Sequence, residues 1–181
     1  MSDIVLISGS PSVQSRSEKV LDFIGSTIQH SGYSVTKISV TDIPAEALMY
    51  GHYNHEKIKN AVQQIANAKS IVISSPVYKA AYTGALKAFI DLLPQDVFKH
   101  KAVLPIMTGG SLAHLLAIEY TLKPLIAILK GQSLNGVFIT DEQINKTEKN
   151  PIIDQSIYDR IEKQIEYLVE AIEKSSISIL Q

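Results

Sequence analysis

The sequence predicts an α/β fold: a doubly wound parallel sheet of five strands with helices on both faces. Three observations carry this. Short apolar runs without alternation, such as Ile4-Val5-Leu6-Ile7 and Ile71-Val72-Ile73, read as strands buried on both faces. Stretches with apolar residues at helical spacing separate them, so strand and helix alternate. The length of 181 residues, 45% of them hydrophobic, suits one domain over residues 1–181 with a sizeable core.

The first strand, Ile4 to Ile7, leads into the loop Gly9-Ser10-Pro11-Ser12-Val13-Gln14-Ser15-Arg16-Ser17. A helix follows from about Ser17 to His30, with Val20, Leu21, Ile24 and Ile28 on one side and Gly32 placed to cap its end. Val35 to Val40 alternates partly and reads as a more peripheral strand. Thr41 to Tyr53, holding Pro44 and Gly51, reads as loop. A second helix runs from Glu56 to Ala68, and Ser70 to Ser74 forms a strand stopped near Pro76. A third helix spans Gly84 to Leu93, before Pro94. Ala102 to Met107 is the fourth strand and Leu112 to Leu129 a fourth helical stretch. Leu134 to Ile139, broken by Gly136, is the fifth strand, and Ile157 to Ile172 marks a last amphipathic helix. Asp141 to Asp154 is the most polar connection and is expected to be a mobile excursion.

In such a sheet, ligands bind outside the carboxyl ends of the strands. Three strand-end loops therefore matter. The first, Gly9 to Ser17, joins a buried strand to a helix start, where free amides and the helix dipole favour an anion. Its serines offer hydroxyls and Arg16 a permanently charged fork, so a phosphate monoester fits. Ser15-Arg16-Ser17-Glu18 also matches a capping box, so capping alone accounts for any single serine. Neither G-x-x-x-x-G-K-[ST] nor G-x-G-x-x-G occurs. The second loop, Ser75 to Gly84, offers Val77 and Tyr78 as an apolar edge and ring. The third, Thr108-Gly109-Gly110-Ser111, lets backbone approach a ligand closely. Together they describe a mononucleotide site; packing tyrosines and a plain strand-to-helix turn are the alternatives.

Composition excludes much else. A net charge of −1 argues against nucleic acid as a partner. The absence of cysteine removes thiol nucleophiles, thiolate metal ligands and disulfides. His52 and His55 lack partners at metal-ligand spacing, so no metal site is expected. No apolar run is long enough to span a membrane and no signal peptide is visible, so a cytoplasmic protein is expected. No G-x-S-x-G elbow or triad occurs, and no catalytic side chain is assigned. Asp91 and Glu119 read as surface or subunit-contact residues.

Gly9-Ser10-Pro11 with Ser15-Arg16-Ser17, Pro76-Val77-Tyr78-Lys79 with Tyr82-Thr83-Gly84-Ala85-Leu86-Lys87, and Leu104-Pro105 with Thr108-Gly109-Gly110 resemble the NADPH-dependent FMN reductase family. His114-Leu115-Leu116-Ala117 and Tyr120-Thr121-Leu122-Lys123-Pro124 are most similar to the reductase component of two-component alkanesulfonate monooxygenase systems. The resemblance spans nearly the whole chain. It implies a flavodoxin-like fold with strand order 2-1-3-4-5, NADPH as hydride donor and FMN as acceptor. It places Ser8, Ser10, Ser15, Arg16 and Ser17 at the FMN phosphate and Pro76, Val77, Tyr78 and Lys79 along the isoalloxazine and ribityl side. Thr108, Gly109, Gly110, Ser111 and His114 fall at the pyrimidine end. Lys79 departs from the Asn that many relatives carry.

Pro124 inside an apolar helical pattern forces a kink or bulge. The resemblance implies a π-bulge at Tyr120, placed at a tetramer interface near the flavin, with flavin behaving as a substrate that comes and goes. It implies a homo-oligomer, dimer or tetramer, and reduced FMN passed to a partner monooxygenase. Leu115, Leu116, Ile118, Leu125 and Ile126 cover more than one helix face, compatible with a subunit contact. Two other functions fit the same loops. One is an FMN-retaining quinone, azo or chromate reductase. The other is a flavodoxin-like electron carrier, which near-neutral charge disfavours.

Overall fold

The structure, a computed structural model, describes residues 2–178; Met1 and residues 179–181 of the expected 1–181 span lie outside the described residues. The chain runs β1 (Ile4–Ser8), α1 (Arg16–His30), β2 (Val35–Ser39), α2 (Ala45–Met49), α3 (Glu56–Asn67), β3 (Ser70–Pro76) and α4 (Gly84–Ile90). It continues through β4 (Ala102–Gly109), α5 (Lys123–Ile128), β5 (Gln132–Ser133), β6 (Val137–Thr140) and α6 (Gln155–Ser178). All strand pairs are parallel, in the order β2-β1-β3-β4, with β5 and β6 in turn beside β4. This is the expected 2-1-3-4-5 order, with the fifth strand in two pieces.

Alternation along β1 builds both faces of the core. Val5 and Ile7 pack with Leu86, Phe89 and Phe138 on one side. Ile4 and Leu6 pack with Val20, Leu21, Ile24 and Ile28 of α1 and with Ile161, Ile165 and Leu168 of α6 on the other. Pairing register aligns the carboxyl ends. Ser8 lies opposite Ser39 and Ser74, Pro76 opposite Thr108, and Gly109 opposite Thr140. Five strands thus end at one rim.

Four expectations are corrected. The fifth strand is split because Pro105, at the centre of β4, has no N–H to give. Residues 134–136 opposite it bulge away, and Gly136 takes φ +79 there. A Cβ on Gly136 would stand 2.6 Å from the Pro105 carbonyl oxygen. Thr41 to Tyr53 is not all loop: a 3₁₀ turn (Val40–Asp42) and α2 occupy it, packing Ile43 and Ala47 into the core. The third helix stops at Ile90 rather than Leu93. The 141–154 excursion is folded, through a 3₁₀ turn (Asp141–Gln143) and an antiparallel bridge between Ile144 and Ile152.

The fourth helical stretch is not one helix. It is a 3₁₀ turn (Leu112–His114), a π-helical turn (Ile118–Leu122) and then α5. The Lys123 N–H donates to the Ile118 carbonyl, five residues back. Pro124 follows at the start of α5, where its missing N–H costs little. Tyr120 is the middle residue of the π turn and is 76% exposed.

Candidate functional site

The first loop leaves β1 at Gly9, which the structure grips from both sides. The Gly9 N–H donates to the Ser74 carbonyl at 2.7 Å, and the Thr83 hydroxyl donates to the Gly9 carbonyl at 2.5 Å. Ser10 then pins the loop: its hydroxyl donates to the Ser12 carbonyl at 3.0 Å and accepts the Ser12 N–H at 3.1 Å. Ser15 is the N-cap of α1, accepting the Glu18 N–H at 3.1 Å, and its Oγ lies 3.0 Å from that of Ser17.

The other half of the capping box does not form. The Glu18 side chain turns inward, where it accepts from the Ser8 hydroxyl and from Lys37 Nζ, the latter at 2.8 Å. Lys37 also donates to Asp22 at 2.7 Å. Burial works against the Lys37 ammonium, but its bonds to Asp22 and Glu18 hold its pKa above the ordinary value. Ser8 is 1% exposed with its one hydrogen committed to Glu18, so it braces the loop from beneath instead of facing a ligand. Ser17 is equally buried, and its carbonyl accepts from Ser74 Oγ at 3.2 Å.

At the start of α1 lies a donor set. The amides of Arg16 and Ser17 occupy the first two helical positions, which no intrahelical carbonyl can reach. The Arg16 side chain is 42% exposed and meets Asp141 Oδ2 at 3.5 Å. Lys146 Nζ donates to the Gln14 carbonyl at 3.1 Å, tying the 141–154 segment to the loop.

In the second loop the Val77 N–H donates to the Thr108 carbonyl at 2.7 Å, tying it to the third. Beyond Val77 the chain makes a two-residue turn, in which Tyr78 and Ala81 exchange backbone bonds at 2.8 and 3.3 Å. Both central residues are left-handed, Lys79 at φ 51 and Ala80 at φ 67, the signature of a type I′ turn. Neither is glycine, so this tip is strained. Tyr78, Lys79 and Ala80 are exposed.

In the third loop Thr108 is buried, and a Cβ on Gly109 would stand 3.2 Å from the Phe138 ring and 3.5 Å from Val77 Cβ. Gly110 and Ser111 are exposed; Ser111 caps the 3₁₀ turn by accepting the Ala113 N–H at 3.1 Å, and His114 ends that turn half-buried. Next to it Leu112, Leu115, Leu116 and Tyr120 are exposed.

The strand ends thus bring the three loops to one rim: a helix start with amides free of intrahelical partners, an apolar edge and a glycine turn. The donor set fits a phosphate-bearing flat ligand. A cleft of about 1180 Å³ lies elsewhere, between α2, α3 and α4, lined by Leu48, Met49, Tyr53, Val62, Ala85 and Leu92 among others. It is mainly apolar and holds none of the predicted site residues.

Several residues set aside in the sequence have local partners. His55 caps α3, its Nδ1 accepting the Lys57 N–H at 3.2 Å. Asp91 pairs with Lys87 and Glu119 with Lys123 along their own helices. Among the described residues no group of three or more His, Cys, Asp or Glu side chains is placed to hold a metal, and no helix is long and apolar enough to cross a membrane. Of the five apolar residues expected at a subunit contact, Ile118, Leu125 and Ile126 are instead buried in the chain's own core. Only Leu115 and Leu116 are exposed. Sequence reasoning passed over Glu18 as a brace and Asp141 as the partner of Arg16. Asp141 begins the segment after a strand end, the position that singled out the other loops.

A parallel sheet with these loops at its carboxyl rim defines a mononucleotide-binding α/β protein. The model of the NADPH-dependent FMN reductase family matches residues 2–145, and the chain belongs to that family, which makes it an oxidoreductase. An FMN reductase (NADPH) of Pseudomonas putida is 40% identical over 166 residues, covering 90% of this chain and 84% of the relative. An FMN reductase (NADPH) of Escherichia coli is 33% identical over 177 residues, covering 97% and 93%. The crystal structure of an NADH:FMN oxidoreductase, EMOB, in its apo form superposes with a TM-score of 0.79 at 33% identity, covering 97% of this chain and 90% of that one.

Proposed function

We propose that the chain reduces FMN with NADPH and releases the reduced flavin, and that it does so as a single folding unit. The observation that carries this is the donor set at the start of α1, beside two loops shaped for a flat ring. In this reading the Arg16 and Ser17 amides, the Ser15 hydroxyl and the Arg16 fork hold the FMN phosphate, while Ser10, buried with its hydroxyl bonded to Ser12, shapes the loop around it. Ser8 and Glu18 support that loop from below. Pro76, Val77, Tyr78 and Lys79 line one edge of the ring, while Thr108, Gly109, Gly110, Ser111 and His114 meet its pyrimidine end.

FMN, when bound, would supply the redox chemistry as a hydride acceptor. The protein's part is to fix the ring, keep one face open to the second nucleotide and exclude water. No side chain acts as acid or base. The fused glycine pair and the Val77–Thr108 bond hold the ring edge against backbone donors.

The exposed strip of Leu112, Leu115, Leu116 and Tyr120 at the rim supports a homo-oligomer, dimer or tetramer, in which the π turn gates flavin exchange. Reduced FMN then passes to a flavin-dependent monooxygenase in the cytoplasm. The experiment is NADPH oxidation with and without added FMN, on protein inspected for bound flavin. The expected result is colourless protein whose NADPH consumption saturates with added FMN. Yellow protein that reduces quinones faster than added FMN contradicts release. Arg16→Gln removes a charge-assisted contact and is expected to weaken FMN about 10- to 100-fold, with riboflavin little changed.

A further inference from the structure

Asp141 stands where it opposes the ligand proposed for the first loop. It follows β6 directly, and Thr140, the last residue of that strand, pairs with Gly109 of the third loop. Its Oδ2 is 3.5 Å from Arg16 Nη1 and 3.9 Å from where a Cβ of Gly110 would be. One carboxylate oxygen therefore lies between the phosphate loop and the glycine turn.

This is a built position. Asp141 opens a 3₁₀ turn in which the Thr140 N–H and hydroxyl both donate to Gln143 Oε1, at 3.0 and 3.1 Å. Gln143 Nε2 in turn donates to Asp154 Oδ2 at 2.8 Å. The Ile144 N–H closes onto the Asp141 carbonyl at 3.3 Å, and Lys146 fastens the same segment to Gln14. The turn that carries Asp141 is thus held by four neighbouring anchors, while the carboxylate's own contact with Arg16 is long and single. A fork that meets its carboxylate at one 3.5 Å contact retains most of its donors.

We infer that Asp141 is an affinity-limiting residue: a carboxylate on an anchored turn that competes with the flavin phosphate for Arg16 and repels it, so that FMN exchanges instead of remaining bound. This deepens the proposed function and rests on the phosphate of FMN lying at Arg16. Two effects act in the same direction. Binding must loosen the Arg16–Asp141 pair, and the bound dianion then sits near a like charge. Both pairing side chains are about 40% exposed, which keeps each effect small. The expected sum is about three- to tenfold in affinity. Riboflavin carries no phosphate and feels neither effect.

The test is Asp141→Asn, with Asp141→Ser as a second variant, each checked for wild-type unfolding temperature. FMN and riboflavin affinities are measured by flavin fluorescence quenching, and FMN release by stopped flow. The inference predicts FMN binding about three- to tenfold tighter in both variants, a matching slower release and riboflavin changed less than twofold. Wild-type protein that binds FMN normally while both variants bind it equally or more weakly overturns the inference and leaves the site reading standing. Equal tightening for both flavins overturns it too, since the effect then lies on the ring. If Arg16→Gln leaves wild-type FMN affinity unchanged, the site reading itself fails.

Discussion

Replacing Gly9 by alanine tests whether the departure of the first loop from β1 is as tightly determined as the structure indicates. An added Cβ would stand 2.8 Å from Leu86 Cδ2, 3.0 Å from Leu86 Cβ and 3.0 Å from the Ser74 carbonyl oxygen. Leu86 is fully buried in the core face shared with Phe89, so its side chain has little room to withdraw. The backbone cannot slide either, because the Gly9 N–H and carbonyl are bonded to Ser74 and Thr83. Overpacking of this kind costs about 1–3 kcal/mol, which for a chain of this size lowers the unfolding temperature by about 3–10 °C. The displacement also reaches the phosphate loop, whose donors must converge within a few tenths of an ångström. FMN is therefore expected to bind at least about tenfold more weakly, since one charge-assisted hydrogen bond is worth that much. Thermal unfolding by circular dichroism and an FMN fluorescence titration read both. An unfolding temperature within 1 °C of wild type, together with unchanged FMN affinity, would refute the reasoning about the grip on Gly9.

Ala80→Gly relieves a left-handed alanine at φ 67 and is expected to stabilise the chain by about 0.5–1 kcal/mol, read as a rise of about 1–4 °C in thermal unfolding. A fall in unfolding temperature would show the turn to be unstrained. Deleting Tyr120 is expected to convert the π turn of Ile118–Leu122 to ordinary α-helix, trap FMN on the purified protein and slow flavin turnover; a colourless, fully active deletion rules this out. Asp154 accepts from the Ser156 hydroxyl, from Gln143 and from the Ile157 N–H, and these bonds lower its pKa from 3.8 to about 2. A depressed carboxyl stabilises above its unfolded pKa and loses that contribution as pH falls through the folded one. Asp154→Asn should accordingly be less stable than wild type at neutral pH, with the gap closing between pH 3.8 and about 2 in acid-unfolding curves. A gap that is constant across that range contradicts the assignment.

The sheet was legible because burial on both faces leaves apolar runs that no surface element carries. Those runs located β1, β3 and β4 closely, and the rule that ligands gather at carboxyl ends pointed to the rim where the three loops meet. Other features were invisible for local reasons. Pro105 lies within a run that reads as continuous strand, and its effect falls on a neighbour about thirty residues later. The short α2 hides behind Pro44 and Gly51, which read as loop, although Pro44 in fact stands at its N-cap. The fourth helical stretch shows an apolar spacing that fits α-helix as well as π. Bonds that reach five residues back, such as that from Lys123 to Ile118, separate them. Within the site, residue types were readable but directions were not. Ser8 carries a suitable hydroxyl yet turns it to Glu18, and Arg16 carries a suitable fork yet meets Asp141, which is distant in sequence.

The most direct measurement of the central claim is the change in backbone amide resonances when isotope-labelled protein is titrated with FMN and, separately, with riboflavin. FMN is predicted to shift the amides of Arg16 and Ser17 together with those of Gly109 and Gly110. Riboflavin is predicted to shift the glycine pair alone. Stationary Arg16 and Ser17 amides at saturating FMN would place the phosphate elsewhere and contradict the account.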